Sequence, residues 1–288
     1  MSATTSQETS HMYPITYLTD CVGGNARARL STRIGALFGQ SPTIIALDGP
    51  DPEAFAALTL LDCLRSTESL GEPGHPTITL LNLAPRDGHW PNGVPFCFFS
   101  YGEHLVASTF TPRALDLVRR ELGITEVEVT DIAEVLAALD FDPVEAERIV
   151  TTQFRSLWYL PLLAKWVADG RPVPSTTTAI PEVPSDGPIV SVIDNFGNCK
   201  FNCPPEDLTL GTTVQVARRG PDGTTEYVEV ARYPHLTAVP RNAAGLIPGS
   251  SGRGYAELVI RGGSAAAEFG LQVGDAPITA RQAVGAAC

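Results

Sequence analysis

Asp20 closes the run "YPITYLTD" and is followed at once by "CVGG". A carboxylate at the C-terminal end of a strand, ahead of a glycine turn and a helix, stands where open α/β sheets bind their ligands. There it can accept two hydroxyls of a sugar; a helix N-cap is an equal reading of the same residue. A second group is "IDNFGN", residues 193–198. Asp194 offers acceptors, Asn198 a donor and an acceptor, and Phe196 a flat face. Asp, Asn and Gly are also the residues of a tight turn, and taken alone the turn is the simpler reading. A third group is "GSSGRGYAELVIRGGSAAAEFGLQVGD", residues 249–275. Its Gly-rich N–H groups, with Ser250, Ser251 and Arg253, can hold a carboxylate or an adenine edge, or form a plain hairpin loop.

The elements that must position these groups read as alternating strand and helix over the first part of the chain. "YPITYLTD", "PTIIALDG", "HPTITLLNLAP", "VPFCFFSYGEHLVASTF" and "TEVEVTD" read as strands. "CVGGNARARLSTRIGALFG", "DPEAFAALTLLDCLRS", "TPRALDLVRREL" and "IAEVLAAL" read as helices, with Asp51 at the start of the second. A long helical stretch over 143–170 must be kinked or interrupted at Pro161. The pattern predicts a mainly parallel α/β domain over 13–170. The stretch 171–187, rich in Pro, Ser and Thr, reads as a connection. Short β-like runs over 188–288 predict a small all-β barrel or sandwich, and residues 1–12 a disordered lead.

Composition narrows the function classes. The chain has 288 residues, 43% of them hydrophobic, enough for two domains with real cores. A net charge of -12 without a dense Lys/Arg block argues against nucleic acid and anionic membranes, leaving a small molecule or a protein as partner. No apolar run reaches the roughly 18 residues of a membrane span. The polar start "MSATTSQETSHM" lacks a signal-peptide core, so a cytoplasmic location is expected. The six cysteines are scattered and read as reduced thiols. The five histidines form no metal-ligand spacing, so no metal is expected.

The three polar groups, in this order and spacing, resemble the S-adenosyl-L-methionine (SAM) hydroxide adenosyltransferases, whose superfamily includes the SAM-dependent fluorinase and chlorinase. The resemblance is strongest over 188–275 and traceable over 13–170. It implies a Rossmann-like N-terminal domain, a barrel-like β domain, and a homotrimer with ligand sites between one subunit's N-domain and the neighbour's C-domain. It implies that Asp20 binds the ribose diol. Asp194, Asn198, Ser250, Ser251 and Arg253 would hold the methionine or adenine polar ends, with Arg261 as a second basic contact.

The departures fall where that family's chemistry sits. Its "DPGVG" loop is replaced by "LLNLAPRDGHW", which puts Asn82 or a neighbour at the water-orienting carboxylate. Its "PDNG" turn becomes "STFT", with Phe110 in it. Its "FHGRD" motif becomes Phe154-Arg155-Ser156-Leu157-Trp158, so Arg155 replaces the histidine and Trp158 the acid. Asn25 stands where the N-terminal motif has an aspartate. His89 and Trp90 lie in the loop that replaces the catalytic turn; His89 also reads as an exposed loop residue. Hydrolysis at C5′ of SAM needs an activated water, and these substitutions remove the groups that activate it. The expectation is therefore a repurposed enzyme of secondary metabolism with no cofactor. Its aromatic cleft, including Trp90, Phe110, Phe154 and Trp158, would fold and cyclise an apolar polyketide or polyene-type substrate. Two alternatives are carried: a SAM-dependent hydrolase or halogenase using Arg155 and Ser156, with SAM as its ligand, and a non-catalytic ligand-binding relative.

Overall fold

The structure is a computed structural model that describes residues 12–68, 74–84, 93–184, 187–208, 212–220 and 222–278. In chain order, the first half runs β1 (Ile15–Thr19), α1 (Gly24–Phe38), β2 (Thr43–Ala46), α2 (Pro52–Arg65), β3 (Ile78–Asn82), β4 (Phe96–Tyr101), β5 (His104–Thr109) and α3 (Pro112–Leu122). It continues with β6 (Glu126–Thr130), α4 (Ile132–Ala138), α5 (Pro143–Thr151), α6 (Arg155–Trp158), α7 (Leu160–Ala168) and β7 (Thr176–Ala179). The second half adds β8 (Val190–Ile193), β9 (Cys199–Phe201), α8 (Pro205–Leu208), β10 (Thr213–Arg219) and β11 (Thr225–Arg232). It ends with β12 (Ala244–Pro248), β13 (Ala256–Ile260) and α9 (Ala265–Phe269).

Two compact units emerge. The described residues of Met1–Ala46, Leu70–Thr109 and Glu128–Thr177 form one, and those of Leu47–Ser69, Phe110–Val127 and Thr178–Cys288 the other. In the first, β3 is buried along its whole length, as an interior strand covered on both faces must be. Its sequence ITLLN is accordingly a continuous run rather than an alternation. The sheet order is β2-β1-β3-β5-β4-β6-β7. β1 is parallel to β2 and β3, and β3 to β5, while β4 is antiparallel to β5 and β6. The mainly parallel N-terminal sheet read from the sequence is therefore present, with β4 reversed by a hairpin at Gly102, whose φ of 57° suits the tight turn. Leu30 and Ile34 of α1 pack with Tyr17, Leu80, Leu160, Leu163 and Trp166 into one core.

The helical stretch after residue 143 differs in detail from the expectation. It is three helices, and the break lies at 152–154, where Thr152 leaves α5 in an extended conformation. Pro161 causes no kink, because it sits in the first turn of α7, where a missing N–H costs nothing. β7 lies within the stretch read as a connection. Glu128 holds its start by accepting hydrogen bonds from the Ser175 and Thr177 hydroxyls at 2.6 and 2.7 Å.

In the second unit a six-stranded curled sheet, ordered β10-β11-β12-β13-β9-β8, is antiparallel except where β11 meets β12. Phe201, Leu246, Leu258, Val216 and Phe269 form its core. α2 and α3 belong to this unit. Ala57, Leu58, Leu61 and Leu117 pack on Tyr255, and Ala54 and Phe55 meet Ile189, Ile193 and Val273. Asp51 caps α2 by accepting the Ala54 N–H, and its two oxygens take a bidentate pair from Arg113 at 2.7 and 2.6 Å.

Candidate functional site

Parallel pairing aligns Thr19 with Asn82 and so brings the C-terminal ends of β1 and β3 side by side. Asp20 and Asn82 meet there and both are buried. The Ala84 N–H donates to both Asp20 oxygens at 3.1 Å. The Asn82 amide donates to Thr19 Oγ1 at 3.3 Å and to Asp20 Oδ1 at 3.5 Å. Asp20 does not cap α1, whose N-cap is Gly23 with no side-chain bond. Of its two sequence readings, the helix cap is thus ruled out. Cys21 joins the group, its thiol donating to Asp20 Oδ1 at 3.8 Å. Burial, then the Asp20 charge, pushes that thiol up, which keeps it protonated. This corner is rich in acceptors and holds one fixed amide. It can receive hydroxyls or an ammonium, and its amide cannot take a proton from water.

A second group sits on α6 of the same unit. The Tyr17 hydroxyl, three residues before Asp20, donates to the Ser156 carbonyl at 2.8 Å and ties α6 to β1. Ser156 is buried. The Arg155 guanidinium lies so close to Gly93 that an added Cβ would stand 1.3 Å from Nη2. Burial lowers the Arg155 pKa from its usual range. Trp158 carries two guanidinium groups over its ring, Arg33 at 5.0 Å and Arg148 at 4.6 Å, and Arg29 lies 5.2 Å from the Phe154 centroid. The indole is thus covered by cations of its own chain. Asn25 is exposed in the first turn of α1. His89 and Trp90 lie outside the described residues.

In the second unit the "IDNFGN" stretch is the β8–β9 hairpin. Asp194 Oδ1 accepts the N–H groups of Phe196 and Asn198 at 2.9 and 3.0 Å, and Oδ2 accepts from the Asn198 amide at 3.0 Å. The turn chemistry is real, and it occupies much of the Asp194 carboxylate internally. Phe196 at the hairpin tip is 71% exposed. Phe110 is half-buried.

Two residues the motifs did not flag complete this group. Lys200 lies opposite Glu257 in the β9–β13 ladder, and its ammonium reaches Ser251 Oγ at 3.4 Å. Glu257 is buried, its Oε2 pressed against Gly249, where a Cβ would come within 2.3 Å. Burial raises the Glu257 pKa, the Lys200 charge and an Asn198 hydrogen bond lower it, and Asp194 raises it further. The one sequence signal was a glutamate inside the apolar run "YAELVI". Asp194, Asn198, Lys200, Ser251 and Glu257 therefore form one polar cluster. Ser250 is exposed. Arg253 is paired with Glu68, and Arg261 donates to the Thr237 and Val239 carbonyls at 3.0 and 3.2 Å. The GSSGR loop is fixed to α2 by the Gly252 N–H, which donates to Asp62 Oδ1 at 2.8 Å.

Among the described residues no three His, Cys, Asp or Glu side chains gather as a metal site, and no helix is long and apolar enough to cross a membrane. Residues 189–277 match the family model of the SAM hydroxide adenosyltransferase C-terminal domain. No curated protein matches. Among solved structures, an uncharacterized conserved protein from Thermotoga maritima is similar at a TM-score of 0.64 and 16% identity, over 91% of this chain and 98% of its own. A conserved hypothetical protein from Thermus thermophilus is similar at a TM-score of 0.53 and 17% identity, over 93% and 98%. The family-model match over 189–277 agrees with the SAM hydroxide adenosyltransferase superfamily resemblance read from the sequence, and the two solved structures share the fold over most of the chain.

Proposed function

We propose that this chain, with its SAM hydroxide adenosyltransferase-like fold, is a small-molecule enzyme that no longer hydrolyses SAM and instead folds and cyclises an apolar polyketide or polyene-type substrate. One observation carries the reading: the positions that would activate water hold groups that cannot take a proton. Asn82 presents an amide bonded to Asp20, Arg155 a guanidinium, and Trp158 an indole under two arginines. A cycloaddition needs no base. It needs the reacting ends held together, and that alone supplies a large share of the rate. Phe110 and Phe154 would furnish apolar walls, and the Asn25 amide a polar contact. In this reading the enzyme is a cytoplasmic homotrimer whose sites are completed by neighbouring subunits, and it uses no cofactor. Incubation with linear polyene macrolactone precursors tests it: cyclised product must form faster than in buffer. No acceleration across the panel ends the cyclase reading.

A second reading is favoured by the Asp20 carboxylate at the strand end and by Arg155 beside the buried Ser156. The carboxylate suits a ribose diol, and the guanidinium and hydroxyl suit a halide. This is SAM-dependent substitution at C5′, releasing methionine. Calorimetry with SAM and adenosine decides it, since no binding at millimolar ligand removes it. SAM binding with neither methionine release nor cyclisation would leave a ligand-binding protein without turnover.

A further inference from the structure

β8 is irregular between Val190 and Val192, and residues of both parities meet α2. Ile189 and Ile193 pack with Ala54, Phe55 and Val273, and Val192 with Ala57, Leu58 and Leu61. Ser191 stands between Ile189 and Ile193. It is 1% exposed, and among the described residues its hydroxyl has no hydrogen-bond partner. A buried hydroxyl left unpaired is unfavourable, and an alanine or valine there would avoid the penalty. The hydroxyl borders a recess of about 100 Å³ formed by α2, α3, β8 and the segment before it. That is the volume of about three water molecules at roughly 30 Å³ each.

The lining has two characters. Ala57, Leu117 and Ile189 make one part apolar. Arg113 and Arg120, one on each side of Leu117 along α3, make the other part cationic. Arg113 is matched by Asp51. Arg120 is not matched in full, because Asp116 serves two guanidinium groups: Arg120 Nε at 2.9 Å and Arg119 Nη2 at 3.2 Å. The other acid near Arg119, Glu182, is 87% exposed at 3.4 Å, a geometry that contributes little. Arg113 also meets Glu53, so the acids balance the guanidinium groups in number. Among the described residues, however, the Arg120 terminal N–H groups make no hydrogen bond, and they share the recess with an unpaired hydroxyl, Asp116 and a short apolar wall.

We propose that this recess is a binding site for a short monocarboxylate of the acetate or propionate class. The carboxylate would take the Ser191 hydroxyl and the Arg120 terminal N–H groups, and the alkyl stem would lie on Ala57, Leu117 and Ile189. The site is independent of the reaction proposed above and uses none of its residues.

The test is calorimetry and saturation-transfer NMR on the full chain at constant ionic strength, with sodium acetate, propionate, hexanoate and inorganic phosphate. Acetate and propionate are expected to saturate one site, and hexanoate, whose longer stem the recess cannot cover, to bind no more tightly than propionate. Phosphate, which lacks a stem, is expected to bind more weakly than propionate. Ser191→Val and Arg120→Gln should each weaken propionate binding by roughly tenfold or more, the scale of one hydrogen bond to a charged group. Ser191→Val should not lower Tm, since it fills space and removes the unpaired hydroxyl, so lost binding cannot be read as misfolding. No saturation by acetate or propionate, or undiminished propionate binding in both variants, overturns the proposal.

Discussion

Asn82→Asp places a carboxylate where the amide nitrogen now sits 3.5 Å from Asp20 Oδ1. Two unit charges at that distance repel by about 5 kcal/mol at an effective dielectric constant near 20. One pKa unit corresponds to about 1.4 kcal/mol, so one carboxyl of the pair would be raised by roughly 3.5 units. The variant avoids most of the repulsion by keeping a proton. At pH 7 that costs about 4 kcal/mol for a carboxyl whose unfolded value is near 3.9, and at pH 4 almost nothing. The raised group contributes its stability below its unfolded pKa and loses it as pH rises through the folded one. Urea denaturation of both proteins at pH 4, 5.5 and 7 checks this. The deficit of the variant should widen by about 4 kcal/mol across that range with an unchanged m value. A deficit that is flat in pH would refute the close contact between these two side chains. Lost amide hydrogen bonds alone would give a constant penalty.

Three further outcomes are expected. Gly93→Ala drives a methyl group into Arg155 at a residue whose φ is 68°, so a loss of about 1–3 kcal/mol is expected in urea melts. Trp158→Ala removes the surface under both Arg33 and Arg148 and should cost about 2–4 kcal/mol, while Arg148→Ala should cost about 1 kcal/mol. Because burial raises Glu257, Glu257→Gln should match the parent below the usual glutamate range and exceed it in urea midpoint as pH rises toward 8.

The sequence revealed the groups better than their relations. Asp20 was legible because a carboxylate ending an apolar run, before two glycines, fits few structures. That it would bond to Asn82 depended on β1 and β3 being parallel neighbours in one register, which no local pattern encodes. "IDNFGN" was legible as turn chemistry, and the turn is what uses its carboxylate. Glu257 was missed because both faces of β13 are buried, so no alternation marked its side chain as inward. The interruption after α5 was placed at Pro161 because proline is the stronger local signal. The chain instead extends at Thr152 and uses the proline to begin a new helix. Ser191 sits in a run, "IVSVI", that looks like an ordinary strand, and only its surroundings make its hydroxyl unusual.

The bond from the Gly252 N–H to Asp62 joins residues 190 positions apart. At roughly 5–20 residues per second, the ribosome makes α2 some 10–40 seconds before the loop that will hold it exists. Through that interval Leu58 and Leu61 lack Tyr255, their eventual contact. Any stand-in must come from the nascent chain itself or from a chaperone. Leu117 reaches α2 first and Ile189 later, and the last of its cover waits for the loop at the far end of this hydrogen bond.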